Sequence, residues 1–237
     1  MEELNFLGIG SAFNTELGNT SAFIKENNSL FIIDCGGTVF SKLQELKILE
    51  GIKKVYIAIT HTHPDHIGSL GDIIFYSYYN LKATVIILFP EKKLIANFLN
   101  CIGVNEKMYY LYSTDKIDIN DEELIIKKIE FLATSHSGSI PTYGLLLNFN
   151  NKKIYYSGDT NKISDNIVEQ LISGEIHRVY QDTCGLDYEG NGHLSLKKLC
   201  DKIPMEYREK VYCMHLDKNI EMREINKNGF NVCKIFK

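Results

Sequence analysis

Residues 57–66 read Ile57-Ala58-Ile59-Thr60-His61-Thr62-His63-Pro64-Asp65-His66. An apolar, buried-type strand runs straight into three imidazoles and a carboxylate. Imidazole plus carboxylate suits zinc, manganese or iron, whereas calcium asks for an all-oxygen shell. Alternate side chains of an extended segment point the same way, so His61 and His63 can grip one ion. Pro64 then turns the chain and brings Asp65 and His66 toward a second. A purification tag or a solvated surface run would not follow an apolar strand in this way.

The same pattern recurs further along the chain. Phe131-Leu132-Ala133-Thr134-Ser135 runs into His136, Tyr155-Tyr156-Ser157-Gly158 into Asp159, and Val211-Tyr212-Cys213-Met214 into His215. Each is a hydrophobic strand that ends in a metal-binding type of side chain. Polar groups held at the rim of a rigid β-core are where sites are commonly built. Of the seven histidines, only His177 and His193 stand outside this set. His177 opens a strand and is expected at the surface or an edge.

Strand-like runs fall at 3–9, 30–34, 54–60, 83–89, 124–132, 143–149, 153–157, 177–183 and 210–214. Helix-like stretches fall at 39–50, 67–80, 91–101, 164–173 and 194–202. The first half alternates strand and helix, 117–157 is nearly all strand, and the last third alternates again. Two such halves predict an α/β protein with two sheets packed face to face and helices outside. No linker, repeat or low-complexity tract interrupts residues 1–237, which read as one domain.

Composition narrows the classes. Apolar residues make up 44% and charged residues 24% of the 237, which is globular and not disordered. No apolar run approaches the length of a membrane span. The acidic Met1-Glu2-Glu3 start is not an export signal, so a cytoplasmic protein is expected. The six cysteines, Cys35, Cys101, Cys184, Cys200, Cys213 and Cys233, form no Cys-x-x-Cys pair and are expected to be free thiols. A net charge of −4 and basic runs no longer than Lys-Lys give little to hold a long polyanion. Gly8-x-Gly10 lacks the third glycine of a dinucleotide fingerprint, since Phe13 stands there. It reads as a backbone turn, with Asn14 to Thr20 as a loop over the site.

In order, Gly8-Ile9-Gly10-Ser11, Asp34-Cys35-Gly36, His61 to His66, His136, Ser157-Gly158-Asp159-Thr160 and His215 resemble the metallo-β-lactamase superfamily along nearly the whole chain. The resemblance implies a four-layer αββα sandwich. It implies two divalent ions, zinc with manganese as the alternative. His61, His63 and His136 would hold one, Asp65, His66 and His215 the other, and Asp159 would bridge both. Two ions would place +4 at a single point, which suits one phosphate even on an acidic surface.

Phe6-Leu7-Gly8-Ile9-Gly10-Ser11-Ala12 and His136 through Pro141 to Gly144 are similar to the RNase Z-like phosphodiesterase branch. Val179-Tyr180-Gln181-Asp182-Thr183 and Gly192-His193-Leu194-Ser195 resemble two loops of that branch that assist proton transfer. Gln181 stands where the first loop has a histidine, and glutamine cannot shuttle a proton. On that resemblance His193 is the candidate catalytic proton donor, with Asp182 orienting it or a water, and Asp65 is the alternative donor through the bridging solvent. Thr160 and Ser195 would bind phosphate oxygens.

The tRNA enzymes of the branch insert a long arm between the third histidine and the bridging aspartate, and the 23-residue step from His136 to Asp159 leaves no room for one. A glyoxalase would carry a substrate domain after the last metal histidine. The compact chain most resembles the small anti-Pycsar-type cyclic-nucleotide phosphodiesterases, which degrade antiviral 3′,5′-cyclic nucleotides. That implies a cyclic-nucleotide substrate, a homodimer with no membrane partner, and the host cytoplasm if the gene is carried by a phage. The Tyr-rich segments Phe75–Tyr79 and Tyr109–Tyr112 are candidates for a dimer face or base stacking. A tRNA 3′-end endonuclease and a lactone or ester hydrolase are the alternatives.

Overall fold

The computed structural model describes residues 4–136 and 138–237. Glu3, the first residue of the expected opening strand, and Ser137 of the His136 loop lie outside the described residues. One sheet has the spatial order β1 (Asn5–Gly8), β2 (Ser21–Glu26), β3 (Ser29–Ile33), β4 (Lys54–Ala58), β5 (Thr84–Leu88), β6 (Tyr110–Tyr112). The second runs from β7 (Lys116–Asp118) through β8 (Lys128–Ala133), β9 (Tyr143–Asn148), β10 (Lys153–Tyr156), β11 (Ile176–Asp182) and β12 (Val211–Met214) to β13 (Asn231–Val232). Each sheet pairs antiparallel at its first strands and parallel at its last. β3 to β6 are parallel in one sheet and β10 to β13 in the other.

Side-chain alternation explains the long apolar runs. In β3, Phe31 and Ile33 join the core between the sheets, while Leu30 and Ile32 face the other way. In β4, Tyr56 and Ala58 split from Val55 and Ile57 in the same manner. A strand covered on both faces needs no polar side, so it reads as continuous hydrophobicity. The outer face of the first sheet is covered by Val39 and Leu43 of α1 (Val39–Glu45), by Leu70, Ile73 and Ile74 of α3 (Leu70–Tyr76), which follows the short α2 (Pro64–Ile67), and by Ile95 and Leu99 of α4 (Lys92–Cys101). The second sheet is covered by α5 (Asp165–Ser173), α6 (Leu196–Lys202) and α7 (Met222–Lys227) through Ile167, Leu171, Leu199 and Ile225. The expected four layers are present. All six cysteines are free, and four of them are buried. Among the described residues no helix is long and apolar enough to cross a membrane.

Several boundaries differ from the sequence expectation. β2 was not expected, because its run Ser-Ala-Phe-Ile-Lys-Glu starts and ends polar; it is fixed by antiparallel pairing with β1 and β3. β6 and β13 are too short to show a period. The stretch 124–132 is a strand only from Lys128. The 39–50 helix ends at Glu45, and Lys47 takes a left-handed φ of 55°. The 67–80 helix begins at Leu70 as α3, and beyond Tyr76 a wider turn over Ser77–Leu81 ends at Lys82, φ 53°.

The parallel strands place their carboxyl ends on one side, and open α/β sheets carry their ligands there. Asp34 follows β3, His61 to His66 follow β4, Asp159 follows β10, Asp182 ends β11, and His215 follows β12. One close approach fixes the first two loops against each other. A Cβ on Gly36 would sit on the carbonyl of Asp65, and Cys35 N donates to His66 O at 2.6 Å. Gly36→Ala is therefore expected to force these loops apart. The cost should be about 1–3 kcal/mol of stability, as for other over-packed sites. Urea unfolding measures it, and an unchanged midpoint would contradict the packing account.

Candidate metal centre

Two sets of side chains that converge at this rim hold the expected ligands. His61, His63 and His136 form one, and Asp65, His66, Asp159 and His215 form the other; a third grouping, Asp159, Asp182, His193 and His215, overlaps the second, and within each the ligand atoms lie within 4.8 Å of one another. All seven residues expected as metal-binding are thus brought together. His61 Nε2 and His63 Nδ1 are 2.9 Å apart. Asp159 reaches into both sets. Its Oδ2 lies 3.8 Å from His61 Nε2, 3.7 Å from His136 Nε2 and 3.3 Å from His215 Nε2, and its Oδ1 lies 3.3 Å from His66 Nε2. Asp65 Oδ2 is 3.3 Å from His66 Nε2 and 3.4 Å from His215 Nε2.

The residues fit a divalent cation. His66 Nε2 is buried and has no hydrogen-bond partner, yet two carboxylates lie 3.3 Å from it. Imidazole nitrogens and carboxylate oxygens facing one another in a buried cluster match the donor set of zinc or manganese.

An outer ring of groups aims these rings. Asp34, fully buried and left-handed at φ 58°, holds His66 Nδ1 at 2.8 Å. It also accepts from Thr60 N and Thr60 Oγ1, both at 2.8 Å. His136 Nδ1 is 2.9 Å from the carbonyl of Gly192. Asp182 Oδ2 lies 2.7 Å from His193 Nδ1 and accepts from Thr160 N at 2.9 Å, while its Oδ1 lies 3.4 Å from His215 Nδ1. Such partners fix tautomer and ring direction in metal sites. The sequence reading named Asp34 only as part of a motif. Its signal was the one used elsewhere, an apolar strand ending in an acid.

Other expected residues land differently. His193 lines the cleft, half-buried, with its ring stacked on His215 at 4.9 Å between centroids. Thr160 and Ser195, expected as phosphate donors, lie beside the site with their hydroxyls hydrogen-bonded to the protein. Thr160 Oγ1 donates toward Lys162 O at 2.9 Å. Ser195 Oγ donates to Asp187 at 3.1 Å and accepts from Lys198 N, so it caps α6. Gln181 is buried and donates to the Asp182 carbonyl. His177 is exposed. The Asn14–Thr20 segment is anchored by Asn14 Nδ2 donating to Leu216 O at 3.0 Å; its Asn19 lines the cleft, together with the tip Ser11-Ala12-Phe13 just before it. That cleft has a volume of about 940 Å³. Around it, the short turn from β9 to β10 accounts for the small step between His136 and Asp159, with no inserted arm among the described residues.

Protonation follows from burial and the carboxylates. Burial of His61, reinforced by the neighbouring His66, pushes its imidazolium down to about 2. Burial also disfavours charge on His66 and His215, but the carboxylates outweigh it. Asp159 and Asp34 hold His66 well above its ordinary value, and Asp159 and Asp182 raise His215 to about 10.

A family model described as "Anti-Pycsar protein Apyc1" matches residues 2–234. A protein of that description from Paenibacillus xerothermodurans is 29% identical over 96% of this chain and 92% of its own. One from Bacillus phage BSP38 is 30% identical over 92% of this chain and 90% of its own. Among solved structures, the metallo-β-lactamase fold protein YhfI from Bacillus subtilis superposes with a TM-score of 0.73 at 17% identity, covering 99% of this chain and 95% of that one.

Two outcomes follow from the geometry. A metal needs neutral imidazoles, so loading at pH 7 must displace the protons held on His66 and His215. Affinity is expected to tighten as pH rises, and calorimetric titration in buffers of different ionisation enthalpy should register protons released; no buffer dependence would contradict this. Asp34→Asn keeps a residue tolerant of left-handed backbone but removes the charge behind His66. It should weaken metal binding by about 10–100-fold, measured by competition with a chelating dye.

Proposed function

The chain belongs to the anti-Pycsar protein Apyc1 family, and on that premise we propose that it is a metal-dependent phosphodiesterase that opens 3′,5′-cyclic nucleotides to nucleoside 5′-monophosphates. The observation that carries this reading is the junction of two devices in one cleft. Seven cation-binding side chains meet there, and a carboxylate-held imidazole, His193 on Asp182, stands beside them. His61, His63 and His136 would hold one ion, Asp65, His66 and His215 a second, and Asp159 would contact both. Bound zinc or manganese supplies Lewis-acid neutralisation of the phosphate and lowers the pKa of water.

In the net reaction water adds across the P–O3′ bond. Its oxygen joins phosphorus, and a proton ends on the departing 3′-oxygen. His193 is the donor of that proton. Its Nδ1 is committed to Asp182, which leaves the other ring nitrogen for substrate. Burial disfavours the imidazolium, but the adjacent Asp182 carboxylate outweighs it and raises the pKa above the ordinary histidine value, which favours the donor form. Asp182 is a positioning residue, itself fixed by the backbone N–H of Thr160. Asp65, at the edge of the second set, orients His66 and His215. In this reading residues 1–237 work as one catalytic domain, the protein is a homodimer, and it removes cyclic-nucleotide alarm signals in the cytoplasm, the host's where a phage encodes it.

The test is product identification with zinc or manganese supplied. A panel of 3′,5′-cyclic nucleotides should yield 5′-monophosphates, while precursor tRNA, lactones and thioesters are left intact; the reverse pattern would sink the assignment. His193→Ala should lower kcat by about 10²–10⁴ with metal content retained. His61→Ala and Asp65→Ala should abolish turnover in folded protein. Near wild-type rates in either would overturn the metal assignment.

A further inference from the structure

The cleft has a second wall that the metal chemistry does not use. Phe13 is 87% exposed, Tyr188 56% and Leu186 47%, and all three line the same cleft as the metal-binding set. Single exposed apolar side chains are ordinary, but three at the mouth of one polar site mark a ligand surface.

They sit on loops that are tied together. Ser11 N donates to Leu216 O, and Leu216 N donates to Ile9 O, which binds the Phe13 loop to the loop after His215. Gly185 N donates to Asp217 Oδ1, which binds that loop in turn to the Leu186–Tyr188 segment. Asn191 completes the brace. Its Nδ2 donates to Leu186 O at 2.8 Å, and its Oδ1 accepts from His193 N at 3.0 Å. Hydrogen bonds thus connect the loops that carry Phe13, Leu186 and Tyr188 to the backbone of His193.

We propose that Phe13, with Leu186 and Tyr188 of the same cleft, forms the nucleobase subsite, stacking the base of the nucleotide whose phosphate faces the metal-binding set. This rests on the phosphodiesterase reading for the phosphate and adds the residues that recognise the rest of the substrate. A flat aromatic ring is what an exposed Phe can hold by stacking, and one such contact is worth about 1–3 kcal/mol. Phe13 is then a specificity residue that acts on binding.

The chain contains no tryptophan, so Phe13→Trp installs a single indole at the wall. With divalent metal present, AMP and cyclic AMP should quench its fluorescence, and ribose 5-phosphate, which lacks the base, should not. Phe13→Ala should raise KM for cyclic AMP about 5–150-fold, the kinetic equivalent of that stacking energy. It should change turnover of ribose 3′,5′-cyclic phosphate by less than twofold, and Phe13→Trp should restore a low KM. Base-dependent quenching without any turnover would keep the subsite and refute the phosphodiesterase reading. Turnover with no base-dependent quenching, or equal losses on both substrates in Phe13→Ala, would refute the subsite and keep the reaction.

Discussion

The buried carboxylate of Asp159 is the interaction on which this architecture depends. It sits among four imidazoles from three different loops. Burial raises the cost of its charge, and the histidines His215 and His66 reverse that and hold it well below the ordinary carboxylate range. An unpaired ion in such a place would cost several kcal/mol. The arrangement holds only if the loops after β4, β8, β10 and β12 arrive together, and so the two sheets must pack in one register.

The rest of the rim serves that convergence. Gly36 lets the loop after β3 lie against the loop after β4, and Asp34, placed there, reaches back to His66. Asp182 does the same work for the second sheet, spanning His193 and His215. Two buried aspartates at the ends of β3 and β11 thus brace the set from both sides. The cleft divides in consequence. One side is polar, buried and rigid. The other carries Phe13, Leu186 and Tyr188 on loops, where binding surfaces can vary without disturbing the braced set.

Much of this was legible in the sequence for a physical reason. A residue such as His61, His136, Asp159 or His215 follows an apolar strand directly, and few structural roles demand a buried polar group there. The four layers were legible because strands such as β3 and β4, buried on both faces, read as unbroken apolar runs. What stayed hidden depends on contacts between distant segments. β2 is polar at both ends and exists through its neighbours. Asp34 carries the strand-end signal, but its role as the partner of His66, 2.8 Å away, is set only by folding. The hydroxyl partners of Thr160 and Ser195 are likewise contacts that no local pattern displays.

The central claim is that this cleft directs water to phosphorus and releases the 3′-oxygen. Turnover of a 3′,5′-cyclic nucleotide in ¹⁸O-labelled water, read by mass spectrometry, tests it most directly. The account predicts a nucleoside 5′-monophosphate with one ¹⁸O on its phosphate and an unlabelled 3′-hydroxyl. A 3′-monophosphate, label at the ribose, or no product from metal-loaded protein would contradict it.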